Sequence, residues 1–246
     1  MQRESVKQGK SARNGIVWLA VLIAAPATLL AAWRFGNRKY YLSSLLLIVY
    51  AMLPFFIRFE HRKPQARELV TIAVMSAVAV ASRAAFIMVP FFKPITGIIM
   101  ITGMALGPEA GFLTGAVSGF VSNFIFGQGP WTPWQMFAFG VAGFLAGVLA
   151  KKGWLSAEKW LPAGIFGGLC VLLLIGPILD TCSLFTMSTE ITAASAASIY
   201  LAGLPVNAVH AFATFLTVFF LGKPIEEKLD RIKVKYGMMD GDEDEI

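Results

Sequence analysis

The stretch Ala110–Ala150, AGFLTGAVSGFVSNFIFGQGPWTPWQMFAFGVAGFLAGVLA, runs 41 residues without a charged side chain. At a rise of about 1.5 Å per residue, about 20 residues cross a hydrocarbon core of roughly 30 Å. The run therefore holds two spans, joined by the Gly/Pro-rich turn Gly127–Pro133. Working outward, Gly15–Trp33, Tyr40–Ile57 and Trp160–Leu179 each run 18 to 20 residues without a charge. The 246-residue chain is 57% hydrophobic and 15% charged, with mean hydropathy +0.67. Soluble domains sit near 45–50% apolar and about 25% charged. The sequence is that of an all-α polytopic membrane protein.

Two spans come first, Gly15–Trp33 and Tyr40–Ile57, and the six residues Arg34–Lys39 between them make an antiparallel hairpin. Gly15–Trp33 is too long for a signal-peptide core and lacks a small-residue cleavage site, so it reads as a retained span. The basic linker Arg58–Arg67, with Pro64, marks the boundary. Six more spans are predicted over Glu68–Val89, Ile95–Leu106 (or reaching back to Phe91), Ala110–Phe126, Trp134–Ala150, Leu161–Leu179 and Ile191–Leu221. The last is expected to break near Gly203-Leu-Pro205, because proline has no backbone donor. Three parts result: residues 1–67, a six-helix core over 68–222, and a charged tail over 223–246 that ends in Asp240-Gly-Asp-Glu-Asp-Glu245, of disordered composition.

Charge placement orients the chain. Of 21 Lys and Arg, four precede the first span, four lie in Arg58–Arg67, three in Lys151–Lys159 and five follow Gly222. With the linker cytoplasmic, the C-terminus is cytoplasmic too, and the loops Pro90–Pro94, Gly127–Pro133 and Asp180–Glu190 lie outside with a single lysine, Lys93. The hairpin tip, with Arg34, Arg38 and Lys39, fits this count poorly. Either the neighbouring spans enforce its orientation or one of its segments does not fully cross.

The same placement accounts for the net charge of +6 without a nucleic-acid partner, since no basic patch is interleaved with aromatics. There is no P-loop, no His-Glu-x-x-His, no Gly-x-Ser-x-Gly and no acidic cluster for a metal. Cys170 and Cys182 are in apolar settings and read as inert thiols. His210, alone in an apolar helix, reads as a hydrogen-bonded packing residue. An enzyme is disfavoured, and no cofactor or metal is expected.

Small residues recur at four-residue spacing. Gly107, Gly111, Gly115 and Gly119 form one row and Gly143 with Gly147 another, as helices that approach closely in lipid require. Ala73, Ala77, Ala81 and Ala85 form a third row, while Arg83 lies about 200° from Ala81 and so points the other way. An arginine in an apolar helix is expensive and reads as facing an interior or a wet cavity.

Polar groups gather at the outer end. Asn123, Gln128 and Gln135 supply amides, Trp131 and Trp134 aromatic plates, and Arg83, Lys93 and Asp180 join them from the other outer loops. Flat apolar faces with a few orienting polar groups suit a small-molecule pocket.

The residues Lys93-Pro-Ile-Thr-Gly-Ile-Ile-Met100, Leu106-Gly-Pro-Glu-Ala-Gly111 and Ser122–Gln135, behind an alanine-rich helix, resemble the substrate-binding S components of bacterial energy-coupling factor (ECF) vitamin transporters. The likeness covers about Glu68 to Gly222 and is specific over its middle third. It implies a six-helix core in the bacterial plasma membrane with an outward vitamin pocket. It also implies a transmembrane coupling protein, bound to two cytoplasmic ATPases, that docks on Ala73, Ala77, Ala81 and Ala85. The N-terminal hairpin departs from the family's six spans. The Lys-Pro-Ile-Thr-Gly and Gly-Pro-Trp-Thr-Pro-Trp-Gln pattern is most similar to the cobalamin-type members, with riboflavin and pantothenate as alternatives. The competing classes are a standalone proton-coupled transporter using Asp180, Glu190 or His210, and a membrane enzyme or scaffold that uses the hairpin as its contact.

Overall fold

A computed structural model describes residues 40–61, 64–156, 159–188 and 190–238. The span predicted at Gly15–Trp33, the hairpin tip and the acidic end lie outside the described residues. Within them the chain is helical, without a strand. The helices are α1 (Tyr40–His61), α2 (Ala66–Ala85), α3 (Ile95–Leu106), α4 (Pro108–Phe126), α5 (Thr132–Lys151), α6 (Trp160–Met187) and α7 (Ala193–Tyr236). Helices α2, α5, α6 and α7 are each long and apolar enough to cross a membrane. This is a multi-pass membrane protein.

Helix α3 is the hub. At 12 residues it measures about 18 Å, short of a bilayer, and every residue except Met104 is buried. It packs against α2, α4, α5, α6 and α7, which is why its sequence is apolar all round and shows no helical face. It starts at Ile95, after Pro94, and does not reach back to Phe91. Gly107 ends it at φ 93°, ψ 170°, a conformation that is essentially glycine's own, and Pro108 opens α4 at once.

Glycine lets α3, α4 and α5 converge. A Cβ on Gly111 would stand 2.5 Å from the Gly143 carbonyl oxygen and 2.7 Å from the Gly103 Cα. One on Gly147 would stand 2.5 Å from the Pro108 nitrogen. Gly115 and Gly119 of the same row lie against the α5 backbone at Phe139 and Met136. Gly107, the first of that row, serves the turn instead: a Cβ there would meet nothing.

Helix α1 lies across α4 and α5. Phe55 stacks on Phe112 with ring centroids 4.0 Å apart and meets Phe144 edge-on. At one end the exposed Arg58 Nε reaches the buried Glu109 carboxylate at 2.7 Å, in the first turn of α4, where a negative charge complements the helix dipole.

Helices α6 and α7 differ most from expectation. Helix α6 continues to Met187, so Asp180, expected at a loop edge, is helical. Its middle, Val171–Ile175, is a π turn directly before Gly176-Pro177; Pro177 cannot donate to the preceding turn, and the ladder widens there. Helix α7 runs 44 residues without the break expected near Gly203-Leu-Pro205. Contacts to α6 hold it on both sides of Pro205: Tyr200 Oη meets Thr181 Oγ1 at 2.6 Å, and Asn207 Nδ2 donates to Asp180 at 2.8 Å. Its far end passes well beyond Leu221. Leu229 and Met238 are buried there, and the Arg67 guanidinium lies 5.3 Å from the Tyr236 ring, which ties the end of α7 to the start of α2.

Helix α2 divides cleanly. Ile72, Met75, Ser76, Ala79, Val80 and Arg83 are buried in the bundle. Ala73, Ala77, Ala81 and Ala85 are exposed on the opposite side, flanked by exposed Val70, Val74 and Val78.

Candidate functional site

At the end of the bundle where α2 gives way to α3 and α4 to α5, an open cavity of about 840 Å³ lies between α2, the 86–94 turn, α5, α6 and α7. The local sequence builds its wall. Pro90 and Pro94 preclude a helix across the turn, Phe91 takes φ 62°, and Phe86 and Phe92 meet at 4.8 Å between ring centroids. Gly127, at φ 98°, ends α4 and lets the chain reverse into α5.

Five of the eight side chains proposed from the sequence line this cavity: Arg83, Lys93, Trp131, Gln135 and Asp180. Arg83 comes from the last turn of α2 and is 6% exposed. Its Nη1 donates to Ser122 Oγ at 2.5 Å and to Asn123 Oδ1 at 3.2 Å, and its guanidinium lies 4.2 Å from the Phe126 ring centroid. Lys93, in the turn before α3, has its ammonium pushed down to about 8 by burial and, second, by the Arg83 charge. Asp180 accepts from Asn207 and packs on Gly203, where a Cβ would stand 2.5 Å from its carboxylate.

The other three proposed residues do not line the cavity. Asn123 is 1% exposed; its nitrogen donates to Thr132 Oγ1 at 3.0 Å and Gln135 Oε1 at 2.8 Å. Gln128 accepts from Thr132 at 2.8 Å and donates to the Phe120 carbonyl at 3.0 Å, bracing the turn that carries Trp131. Trp131 Nε1 in turn donates to the Gly127 carbonyl. Trp134 is buried beside Phe185, 6.0 Å between ring centroids. The polar stretch thus splits into groups that face the cavity and groups that hold them.

Among the lining residues that the sequence proposal did not include are Asn207 and His210 of α7. His210 does hydrogen-bond, with Thr96 Oγ1 2.9 Å from its Nε2, and it meets Phe139 edge-on. Their signal was spacing: Gly203, Asn207 and His210 recur at four and three residues, one helical face.

Among the described residues no group of three His, Cys, Asp or Glu could hold a metal ion, and Cys170 and Cys182 are buried free thiols. What the arrangement offers is capture: an aromatic and apolar wall, two amides, two cations and one carboxylate, open at one end. A family model described as "ECF-type riboflavin transporter, S component" matches residues 63–227, about two thirds of the chain. No solved structure matches it.

Proposed function

The chain belongs to the S-component family of ECF-type transporters, and from that premise we propose that it captures a flavin from outside a bacterial cell and delivers it inward with a coupling protein and two ATPases. The single observation that supports this most is the cavity, which opens at the end of the bundle where basic loops are scarce. The flat isoalloxazine ring would lie against Trp131, Phe86 and Phe126, with its polar edge toward Gln135 and Asn207. Area removed from water would supply affinity, and the amides would fix orientation.

A corrinoid, the ligand suggested by the sequence pattern, is disfavoured on two grounds. The matching family model is described by riboflavin. In addition, a cavity of about 840 Å³ falls within the roughly 300–1,000 Å³ typical of drug-sized ligands, and a corrin with its amide fringe and lower ligand is several times larger than a flavin.

The rest of the molecule takes its role from this reading. Residues 68–222 are the transport core, 1–67 an added N-terminal part and 223–246 a cytoplasmic tail. The exposed Ala73, Ala77, Ala81 and Ala85 offer the coupling protein a smooth face, opposite the helix side that carries Arg83.

Flavin fluorescence tests the ligand. Riboflavin titrated against purified chain in detergent, without ATP, should be quenched saturably at one ligand per chain, and cobalamin should not reverse it. Absence of quenching together with saturable cobalamin binding would replace the flavin by the corrinoid. Uptake into proteoliposomes driven by a proton gradient alone would replace the ATP-driven importer.

A further inference from the structure

The charges around the cavity do not balance. Arg83 and Lys93 line it together, and Asp180 is the one carboxylate among its lining residues. Asp180 is engaged by Asn207, and the ion pairs among the described residues, Arg58 with Glu109 and Lys223 with Glu227, involve neither cation. The remaining titratable lining groups are His210, hydrogen-bonded to Thr96, and the buried thiol of Cys182.

Arg83 is 94% buried, yet all its partners are neutral: Ser122, Asn123 and the Phe126 ring. Its Nε is buried without any hydrogen-bond partner. A guanidinium carries five donors in a rigid plane that matches a carboxylate or phosphate edge, and these partners engage one nitrogen of it. Lys93 makes no hydrogen bond or ion pair among the described residues. An arginine that served only to tie α2 to α4 would need no second cation beside it. Two cations lining one cavity with a single carboxylate, itself turned to Asn207, leave one positive charge in excess, and an anion relieves it.

We propose that Arg83 and Lys93 form an anion-binding subsite of this cavity, and that the captured ligand places a phosphate or carboxylate group there. The proposal deepens the reading of this cavity as the ligand site and rests on it. For a flavin, it selects a form that carries a phosphomonoester on the ribityl chain over the neutral vitamin.

The test uses the full chain purified in detergent at pH 7, titrated with riboflavin and with riboflavin 5′-phosphate. Charge-assisted hydrogen bonds to one anionic group predict that the phosphate ester binds about 10–100-fold more tightly. Lys93→Gln should bring the ratio of the two affinities close to one. Equal affinities in the unaltered chain, or a ratio that survives Lys93→Gln, would overturn the subsite. If neither flavin binds, the flavin reading fails by itself and inorganic pyrophosphate becomes the probe. A saturable change in tryptophan fluorescence that Lys93→Gln abolishes then supports the subsite, and no change rejects it.

Discussion

The single carboxamide of Asn123 reaches three partners. Its oxygen accepts from Arg83, and its nitrogen donates to Thr132 and Gln135. The orientation is forced, because a guanidinium can only donate. Asn123→Ala should therefore cost about 1–3 kcal/mol, the penalty for buried polar groups left unmatched, read as a lower unfolding midpoint in detergent. Ligand affinity should fall too, since Gln135 loses its anchor. Asn123→Asp should recover the contact to Arg83 and not the one to Thr132 and Gln135. Lys93 predicts a pH effect whose sign can be worked out. In the folded chain its ammonium loses its proton near 8, against an ordinary 10.5. Between those values the unfolded chain binds more protons, so Lys93 makes stability rise as pH climbs from about 8 to about 10.5. Unfolding midpoints of the unliganded chain and Lys93→Gln, measured across this range, should differ by a term that shrinks with pH. A constant difference would mean that Lys93 is not desolvated. Arg83 was legible in the sequence for a physical reason: a charge in an apolar helix is expensive, and it points away from a small-residue stripe. Asn207 and His210 were less so: their spacing puts them on one helical face with Gly203, but nothing in an apolar helix announces that this face meets the cavity.

At the scale of the helices, the spans were legible where length and hydropathy decide them, and their joints were not. Helix α3 shows no periodic face because neighbours surround it, and the end of α6 carries Asp180, Thr181 and Ser183, which read as loop residues. The helix satisfies their hydroxyls all the same, because these bond back to the carbonyls one turn earlier, Thr181 to Pro177 and Ser183 to Leu179. The expected break at Pro205 failed likewise: one missing backbone bond is outweighed by the α6 contacts that flank it. Two glycines separate conformational from steric demand. Gly107→Ala has room for its Cβ but must hold a positive φ, at a cost of about 1–3 kcal/mol. Gly143→Val meets the Gly111 backbone, which cannot yield without parting α4 from α5. The first variant should purify as a folded but less stable chain, and the second should aggregate in size-exclusion chromatography. The alanine stripe of α2 makes the opposite prediction. Ala77→Leu with Ala81→Leu alters exposed positions, so ligand binding by the purified chain should persist while uptake by the assembled importer is lost. Uptake at the normal rate would remove the docking role from this face.

For the whole molecule, everything about direction depends on which end of the bundle faces out. The end that bears the cavity carries Lys93 between α2 and α3 and no Lys or Arg at all from Gly127 to Pro133, whereas Lys151, Lys152 and Lys159 flank the turn after α5. On the function proposed above, the bias toward positive charge in the cytoplasm would put the cavity outside. Arg58 supports the same sense, since its pairing with Glu109 occurs at the end of α4 opposite the cavity. The fold supplies its own reporters for a decisive measurement. Met88, in the 86–94 turn, is 89% exposed, and Trp154, past the opposite end of α5, is 73% exposed. Both native thiols, Cys170 and Cys182, are buried and should stay silent. A membrane-impermeant maleimide should modify Met88→Cys in intact cells and Trp154→Cys only after permeabilisation. The reverse pattern would open the cavity to the cytoplasm. Uptake would then have to begin on the side where the ligand is meant to arrive, and capture from outside could not stand, however tightly the purified chain bound a flavin.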